Sequence, residues 1–289
     1  MNVLILTDSD LDGSGAALLI NKLYSSAKVR IEEVFKSDLF RLLKSRRTEL
    51  ELYDVVYLLD IDPELESIPH LSKPNFVIID HHETHMEKKK LYKECKVIVE
   101  VYESCAKLIY DKFKMAKMFN NPELDSLIKA INGYDCYSLD HPDSLKLNAI
   151  HRTYNRPKAP KFIESFSEGL RPYTALERNS IKIYFTKLKN TIDALEPVTL
   201  EYKGDKIVAA LCSFGINEVA HYMLKTYKAQ CCLLVNITPK MVSIRCTEDA
   251  NISACLLAET LGDGGGHIKS AGCKLTDKTI KFIELFQPC

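Results

Sequence analysis

The sequence predicts an α/β protein, with an N-terminal domain built on a parallel sheet and a smaller α/β domain after it. Three observations carry this. Short apolar runs suited to buried strands recur at residues 3–7, 55–59 and 76–79. Segments with helical character lie between and after them, as expected where a parallel sheet is covered on both faces. The composition then changes after His151, where Pro157, Pro160 and Pro172 are spread among basic residues, before a second αβ pattern begins.

In chain order, residues 3–7 form the first strand. Residues 14–26 follow as a helix with Leu18, Leu19 and Leu23 on one side. Two further strands are expected at 55–59 and 76–79. Helices are expected at about 103–118 and 122–133, the latter opened by Pro122 and closed by Gly133. Residues 175–195 read as a charged connecting helix. The second unit has strands near 198–202, 206–212, 230–237 and 241–246, with helices near 216–227 and 252–261. This gives a first domain at 1–155, a helical linker at 156–196 and a second domain at 197–289.

The bulk composition sets limits. A chain of 289 residues is long for one domain and comfortable for two, and a 46% apolar share builds ordinary cores. Lys plus Arg and Asp plus Glu number 39 each, so the formal net charge is zero. That argues against a protein that coats long nucleic acid, but leaves room for a small anionic substrate held by local cations. The ten cysteines include no Cys-x-x-Cys spacing, so no structural zinc site is expected. The Met-Asn-Val-Leu-Ile-Leu start reads as a strand and not a signal peptide. No apolar run approaches the ~18 residues of a membrane span. The expected setting is cytoplasmic and reducing, with the cysteines mainly buried small hydrophobes.

Acidic residues and histidines gather at the predicted strand ends. Asp8, Asp10 and Asp12 follow the first strand, Asp60 ends the second apolar run, and Asp80-His81-His82 follow the third. In an open parallel sheet the carboxyl ends of the strands share one rim, and loops there build the site. Gly13 and Gly15 let the first loop turn tightly and let the next helix begin close by. Several carboxylates in one crevice raise each other's pKa, and a divalent cation removes that cost. The number of candidates suits two ions about 3.5–4 Å apart. Mixed carboxylate and imidazole donors favour Mn²⁺ over Ca²⁺. Asp38, Asp62 and His85 read as local polar residues.

These motifs resemble the DHH phosphoesterase superfamily: Asp8-x-Asp10-x-Asp12-Gly13, Asp60 and Asp80-His81-His82 in the first domain. In the second, Gly264-Gly265-Gly266-His267-Ile268-Lys269-Ser270-Ala271-Gly272 is similar to the glycine-rich signature of the DHH-associated C-terminal domain, and Ser243-Ile244-Arg245 to its Ser-x-Arg strand. The Asn132-Gly133-Tyr134-Asp135 stretch resembles a motif of the oligoribonuclease-like (nanoRNase) branch, and Asp8, where many members carry His, resembles the RecJ-type branch. Ser270 and Cys273 depart from the commoner ending of the glycine signature.

The resemblance implies an active site in the cleft between the domains and two divalent cations, Mn²⁺ first and Mg²⁺ second. One would be held by Asp8, Asp10 and Asp60, the other by Asp12, Asp60, His81 and Asp135, with Asp60 bridging. His82 would contact the scissile phosphate or assist the leaving group, and Asp80 would orient the histidines. Ser243, Arg245, Gly264, Gly265, Gly266 and His267 would bind substrate. Backbone N–H groups of successive glycines can approach an anion, and Arg245 can take a phosphate in bidentate fashion. A grip at that distance from the cutting site would act as a ruler for short substrates.

The function so implied is hydrolysis of short single-stranded oligonucleotides or dinucleotides by a phosphodiesterase or exonuclease. The alternatives are a phosphatase of nucleoside 3′,5′-bisphosphates, a phosphodiesterase of cyclic or linear dinucleotides and, ranked lowest, an inactive nucleotide-binding protein. No membrane partner is expected, and a homodimer is compatible with the sequence.

Overall fold

The structure is a computed structural model and describes residues 1–266 and 268–288. The chain divides into two compact units, Met1–Ile181 and Lys182–Cys289.

The first unit runs β1 (Asn2–Thr7), α1 (Leu11–Leu23), β2 (Lys28–Glu33), α2 (Lys36–Ser45), α3 (Arg47–Leu50), β3 (Val55–Leu59), α4 (Ile68–Leu71), β4 (Phe76–Asp80), α5 (Glu83–Lys88), β5 (Lys96–Val99), α6 (Cys105–Phe113), α7 (Pro122–Asp135), α8 (Ser144–His151) and α9 (Lys158–Phe166). The boundary between the units falls within α10 (Ala175–Asp193). The strands form one parallel sheet in the order β2-β1-β3-β4-β5. The chain leaves β1 for β2 on one side and returns to β3 on the other. The β1/β3 junction is therefore the topological switch point, where loops diverge and leave a crevice.

Side chains alternate across this sheet with the two-residue period of a strand. Val3 and Ile5 face a core shared with Ala16, Leu19, Leu127, Ile131, Phe162 and Phe166. Leu4 and Leu6 face the opposite core, with Leu39, Leu43 and Leu50. The stretch 151–172 takes part in this packing. Its prolines flank and enter α9, whose Phe162 and Phe166 are fully buried. Two strands of this sheet were not foreseen, nor were the three strands after residue 264 in the second unit. Both β2 and β5 lie at sheet edges and carry charged residues, so neither needs the continuous apolar run of a central strand.

The second unit contains β6 (Val198–Tyr202), β7 (Asp205–Leu211), α11 (Ile216–Tyr227), β8 (Cys231–Asn236), β9 (Met241–Cys246), α12 (Ala254–Leu261), β10 (Gly265–Gly266), β11 (Ser270–Lys274), α13 (Asp277–Ile283) and β12 (Gln287–Pro288). Its sheet order is β10-β11-β9-β8-β7-β6-β12. Among the described residues β7–β8 is its one parallel pair, and the other neighbours are antiparallel. Ile207, Leu233, Val242 and Ile244 pack against Ala254, Leu257, Ala258 and Leu261 of α12. Six of the described cysteines are buried. Among the described residues no helix is long and apolar enough to cross a membrane.

Candidate metal centre

The loop after β1 is built to deliver carboxylates. Asp10 is the N-cap of α1, its Oδ1 accepting from Gly13 N at 2.8 Å. Gly13 lies so close to the loop that a Cβ there would sit 2.5 Å from the Asp8 carbonyl oxygen. Only glycine lets the helix start directly beneath this loop. Asp12, in the first turn, is 1% exposed. Its Oδ2 accepts from Cys105 N at 2.6 Å and its Oδ1 from Ala106 N at 2.9 Å, so the amino end of α6 anchors it. Asp8 is half-buried, with Oδ1 accepting from Ser9 N at 2.6 Å. Arg156 donates to Ser9 Oγ at 3.0 Å while its guanidinium stacks on Phe35.

Asp60 follows the last residue of β3 with φ +58°, the left-handed region that few non-glycine residues occupy. It is held there by its N–H, which donates to Ile79 O at 3.0 Å. Such a conformation costs free energy and persists where the surrounding structure imposes it, often at functional sites. Asp135 occupies the last turn of α7, a helix that continues two residues past the expected stop at Gly133.

His81 is the point where these groups meet. Its Nδ1 lies 3.2 Å from Tyr102 O, a carbonyl that can only accept, so Nδ1 carries a proton. In the neutral ring Nε2 then presents a lone pair. That nitrogen lies 3.4 Å from Asp60 Oδ1, 3.7 Å from Asp135 Oδ2 and 3.9 Å from Asp12 Oδ2. Four electron-rich atoms facing one another repel unless a cation or protons lie among them. Burial, reinforced by Asp12 and Asp10, pushes the Asp60 and Asp135 carboxyls well above the usual range. Burial also raises Asp12, and burial with repulsion from Asp10 raises Asp8 to about 6. The donor set fits a divalent cation of mixed oxygen and nitrogen preference.

Asp80 behaves differently. It is fully buried, and both oxygens are engaged: Oδ1 by His82 Nδ1 at 2.7 Å and His81 N at 2.9 Å, Oδ2 by His85 Nδ1 at 2.6 Å. Burial alone would raise this carboxyl, but the two imidazoles outweigh it and hold it far below the usual range. The same pairing raises His82 against the opposing effect of its burial. His85, expected to be merely a local polar residue, is fully buried and belongs to this network; its Nε2 lies 2.7 Å from Tyr92 Oη. The signal was in the sequence, since His85 stands three residues after His82 and so returns to the same side of a helix. Asp62, by contrast, stays outside the cluster, ion-paired to Lys88 at 2.6 Å and bonded to Thr84.

Two groups of three or more donors lie with ligand atoms within 4.8 Å of one another among the described residues: Asp60, Asp80, His81 and His82, and Asp12, His81 and Asp135. The expected second ligand set, Asp12, Asp60, His81 and Asp135, is thus gathered around one atom. Asp8 and Asp10 belong to neither group. Sequence reasoning also missed the buried contact of Ser14 Oγ with His151 Nε2 at 2.8 Å, beneath the same loop.

In the second unit Ser243 and Arg245 both lie on β9. The Arg245 guanidinium donates to Asn217 Oδ1 at 2.9 Å and to the carbonyls of Ile244 and Ala271. Asn217, on α11, was not foreseen. The expected glycine cradle is partly a strand: Gly265 and Gly266 pair with Gly272 and Ala271. Gly264 and Gly266 have no room for a Cβ, whereas Gly265 has nothing within 4 Å of where one would stand. His267 lies outside the described residues.

The open parallel sheet, in the order β2-β1-β3-β4-β5, carries acids after β1 and β3 and Asp-His-His at the end of β4. Residues 2–132 match the family model of the DHH family, N-terminal domain. That match lies within the first unit, whose sheet and acidic loops are those of a DHH-family N-terminal domain. No curated protein matches it by sequence. Among solved structures, the pGpG-specific phosphodiesterase PggH from Vibrio cholerae is similar with a TM-score of 0.61 and 12% identity, over 98% of this chain and 96% of that one. RecJ from Thermus thermophilus, in complex with Mn²⁺, is similar with a TM-score of 0.56 and 14% identity, over 98% of this chain and 51% of that one. An exopolyphosphatase-related protein from Bacteroides fragilis has a TM-score of 0.54 and 16% identity, over 98% and 90% of the two chains. At these identities the likeness establishes the fold.

Proposed function

We propose that this chain is a divalent-cation-dependent phosphodiesterase of short oligonucleotides. The observation that carries the reading is the convergence of Asp12, Asp60 and Asp135 on Nε2 of His81, an arrangement that a cation stabilises. In the proposal these four residues hold one cation. Asp8 and Asp10, with Asp60 shared, hold a second, and Mn²⁺ is the preferred ion. When bound, the ions lower the pKa of a water and polarise a phosphoryl oxygen.

The chain's own residues supply the rest. Asp80 fixes the ring of His82 through Nδ1, so the proton His82 gives to a departing oxygen comes from Nε2. The same pairing with Asp80 raises its pKa, which favours the protonated ring. Arg245, oriented by Asn217, and the backbone beside Gly265 supply a phosphate grip in the second unit. A formal net charge of zero favours short substrates over long polymers. Hydrolysis of a linear dinucleotide is the second reading, favoured by the likeness in fold to PggH over nearly the whole of both chains.

The test is a panel of di- to decanucleotides, a nucleoside 3′,5′-bisphosphate and cyclic dinucleotides, assayed with Mn²⁺ and with chelator. Cleavage of the shortest oligomers, abolished by chelator and by Asp60→Ala or His82→Ala, is the expected result. Undiminished activity in either variant would overturn the assignment.

A further inference from the structure

In the second unit Cys231 of β8 stands directly opposite Cys246 of β9. The adjacent pair, Gln230 and Thr247, is joined by Thr247 N donating to Gln230 O at 2.9 Å. The N–H of Cys246 turns the other way, donating to Lys269 O at 2.9 Å. Bonded and non-bonded pairs alternate along an antiparallel ladder, so Cys231–Cys246 is a non-bonded pair. Such pairs bring their Cα atoms to about 4.5 Å and their side chains closest together. That separation lies within the roughly 4.4–6.8 Å that a disulfide spans.

The side chains agree with the backbone. Both cysteines join the core that includes Leu257 and Leu261, on one face of the sheet. Their sulfurs are 3.1 Å apart. An S–S bond of about 2.0 Å needs only ~1 Å of further approach. Cys231 is fully buried, while Cys246 keeps 7% exposure at the end of its strand. The contact between the sulfurs holds the Cys246 thiol below its ordinary range and pushes Cys231 far above. Cys246 is thus the more accessible partner.

We propose that Cys231 and Cys246 are a modification site, forming a reversible intramolecular disulfide on exposure to a peroxide. The Cys246 thiolate attacks one peroxide oxygen, the O–O bond breaks, and the departing oxygen leaves as water. The Cys231 sulfur then displaces the hydroxyl of the sulfenic acid as a second water. Two thiols lose two electrons and two protons, and one peroxide becomes two waters. A dithiol reductant reverses the bond by exchange. The bond ties the end of β9 to the start of β8 one residue from Arg245. It does not rest on the phosphodiesterase reading.

The experiment uses the reduced full chain, titrated with hydrogen peroxide, acid-quenched, denatured and labelled with N-ethylmaleimide. Intact mass and peptide mapping then report each thiol, with the exposed Cys136 as an internal gauge of dose. The expected result is an internal cross-link between the peptides carrying Cys231 and Cys246, reversed by dithiothreitol and retained in Cys232→Ser and Cys255→Ser. The bond should be lost in Cys246→Ser. Full labelling of Cys231 and Cys246 at a dose that oxidises Cys136 overturns the proposal, as does an undiminished cross-link in Cys246→Ser.

Discussion

His85 Nδ1 lies 2.6 Å from Asp80 Oδ2, the oxygen of Asp80 that His82 does not use. The two histidines therefore grip one carboxylate from both sides, and Tyr92 supports His85 from behind. Replacing His85 with Leu keeps an apolar filling but frees Asp80 to rotate and leaves it short of a donor. The expected loss is about 10–100-fold in cation-dependent turnover, the range typical of groups that orient ligands. Tyr92→Phe removes a single hydrogen bond and should cost only about 1 kcal/mol of stability. Steady-state rates and urea midpoints of both variants check this ordering.

Asp60 adds both charge repulsion and left-handed backbone to the cation-free protein. Asn tolerates that backbone region and carries no charge. Asp60→Asn should raise the melting temperature of chelator-treated protein by a few degrees, corresponding to about 1 kcal/mol. It should also abolish the further rise that Mn²⁺ gives wild type. Thermal scans with and without Mn²⁺ decide; a variant that still gains stability from Mn²⁺ would show that Asp60 is dispensable as a ligand.

Two glycines should respond in opposite ways. At Gly13 a methyl would meet the Asp8 carbonyl, so Gly13→Ala should displace the acidic loop and cost about 1–3 kcal/mol. At Gly265 a methyl meets nothing, so Gly265→Ala should change stability by no more than about 0.5 kcal/mol. A drop in dinucleotide turnover without a change in melting temperature at Gly265 would mark close approach of substrate to the backbone.

His151 is 1% exposed and bonded to Ser14. Burial, with Lys158 and Arg152 nearby, depresses its pKa to about 3. The unfolded chain takes up a proton near pH 6.5, whereas the folded chain does not until far lower pH. Stability is therefore complete above pH 6.5 and falls as the pH drops towards 3, by up to about 1.4 kcal/mol per pH unit from this residue. His151→Gln should show a shallower loss than wild type between pH 7 and 5 in urea titrations; parallel curves would contradict the assignment.

Arg245→Ala should reduce cleavage of a dinucleotide at least tenfold more than cleavage of a small phosphodiester dye, which lacks the second phosphate or ribose to be gripped. Equal losses on both substrates would remove Arg245 from substrate binding.

The parallel sheet was legible because its central strands, β1, β3 and β4, are buried on both faces and must be continuously apolar. The edge strands β2 and β5 were not, since half of each may be charged. The first-unit acids and histidines were legible because they sit where apolar runs stop. What the sequence could not convey was which groups share a partner. Asp12 depends on amides 93 and 94 residues away. Asp80 is surrounded by three histidines, only two of which are adjacent to it in the motif. Asn217 reaches Arg245 from another element. Such long-range pairings leave no periodic trace.

The position of α9 bears on how the protein comes to exist. Every proposed cation ligand has been synthesised by Asp135, yet the core that holds them in place includes Phe162 and Phe166. A nascent chain therefore carries its complete ligand set before it can close the fold around it. Cation loading should wait until α9 has cleared the ribosome, and a truncated product ending before Lys158 should expose an apolar face on α1 and be a substrate for chaperones or proteases.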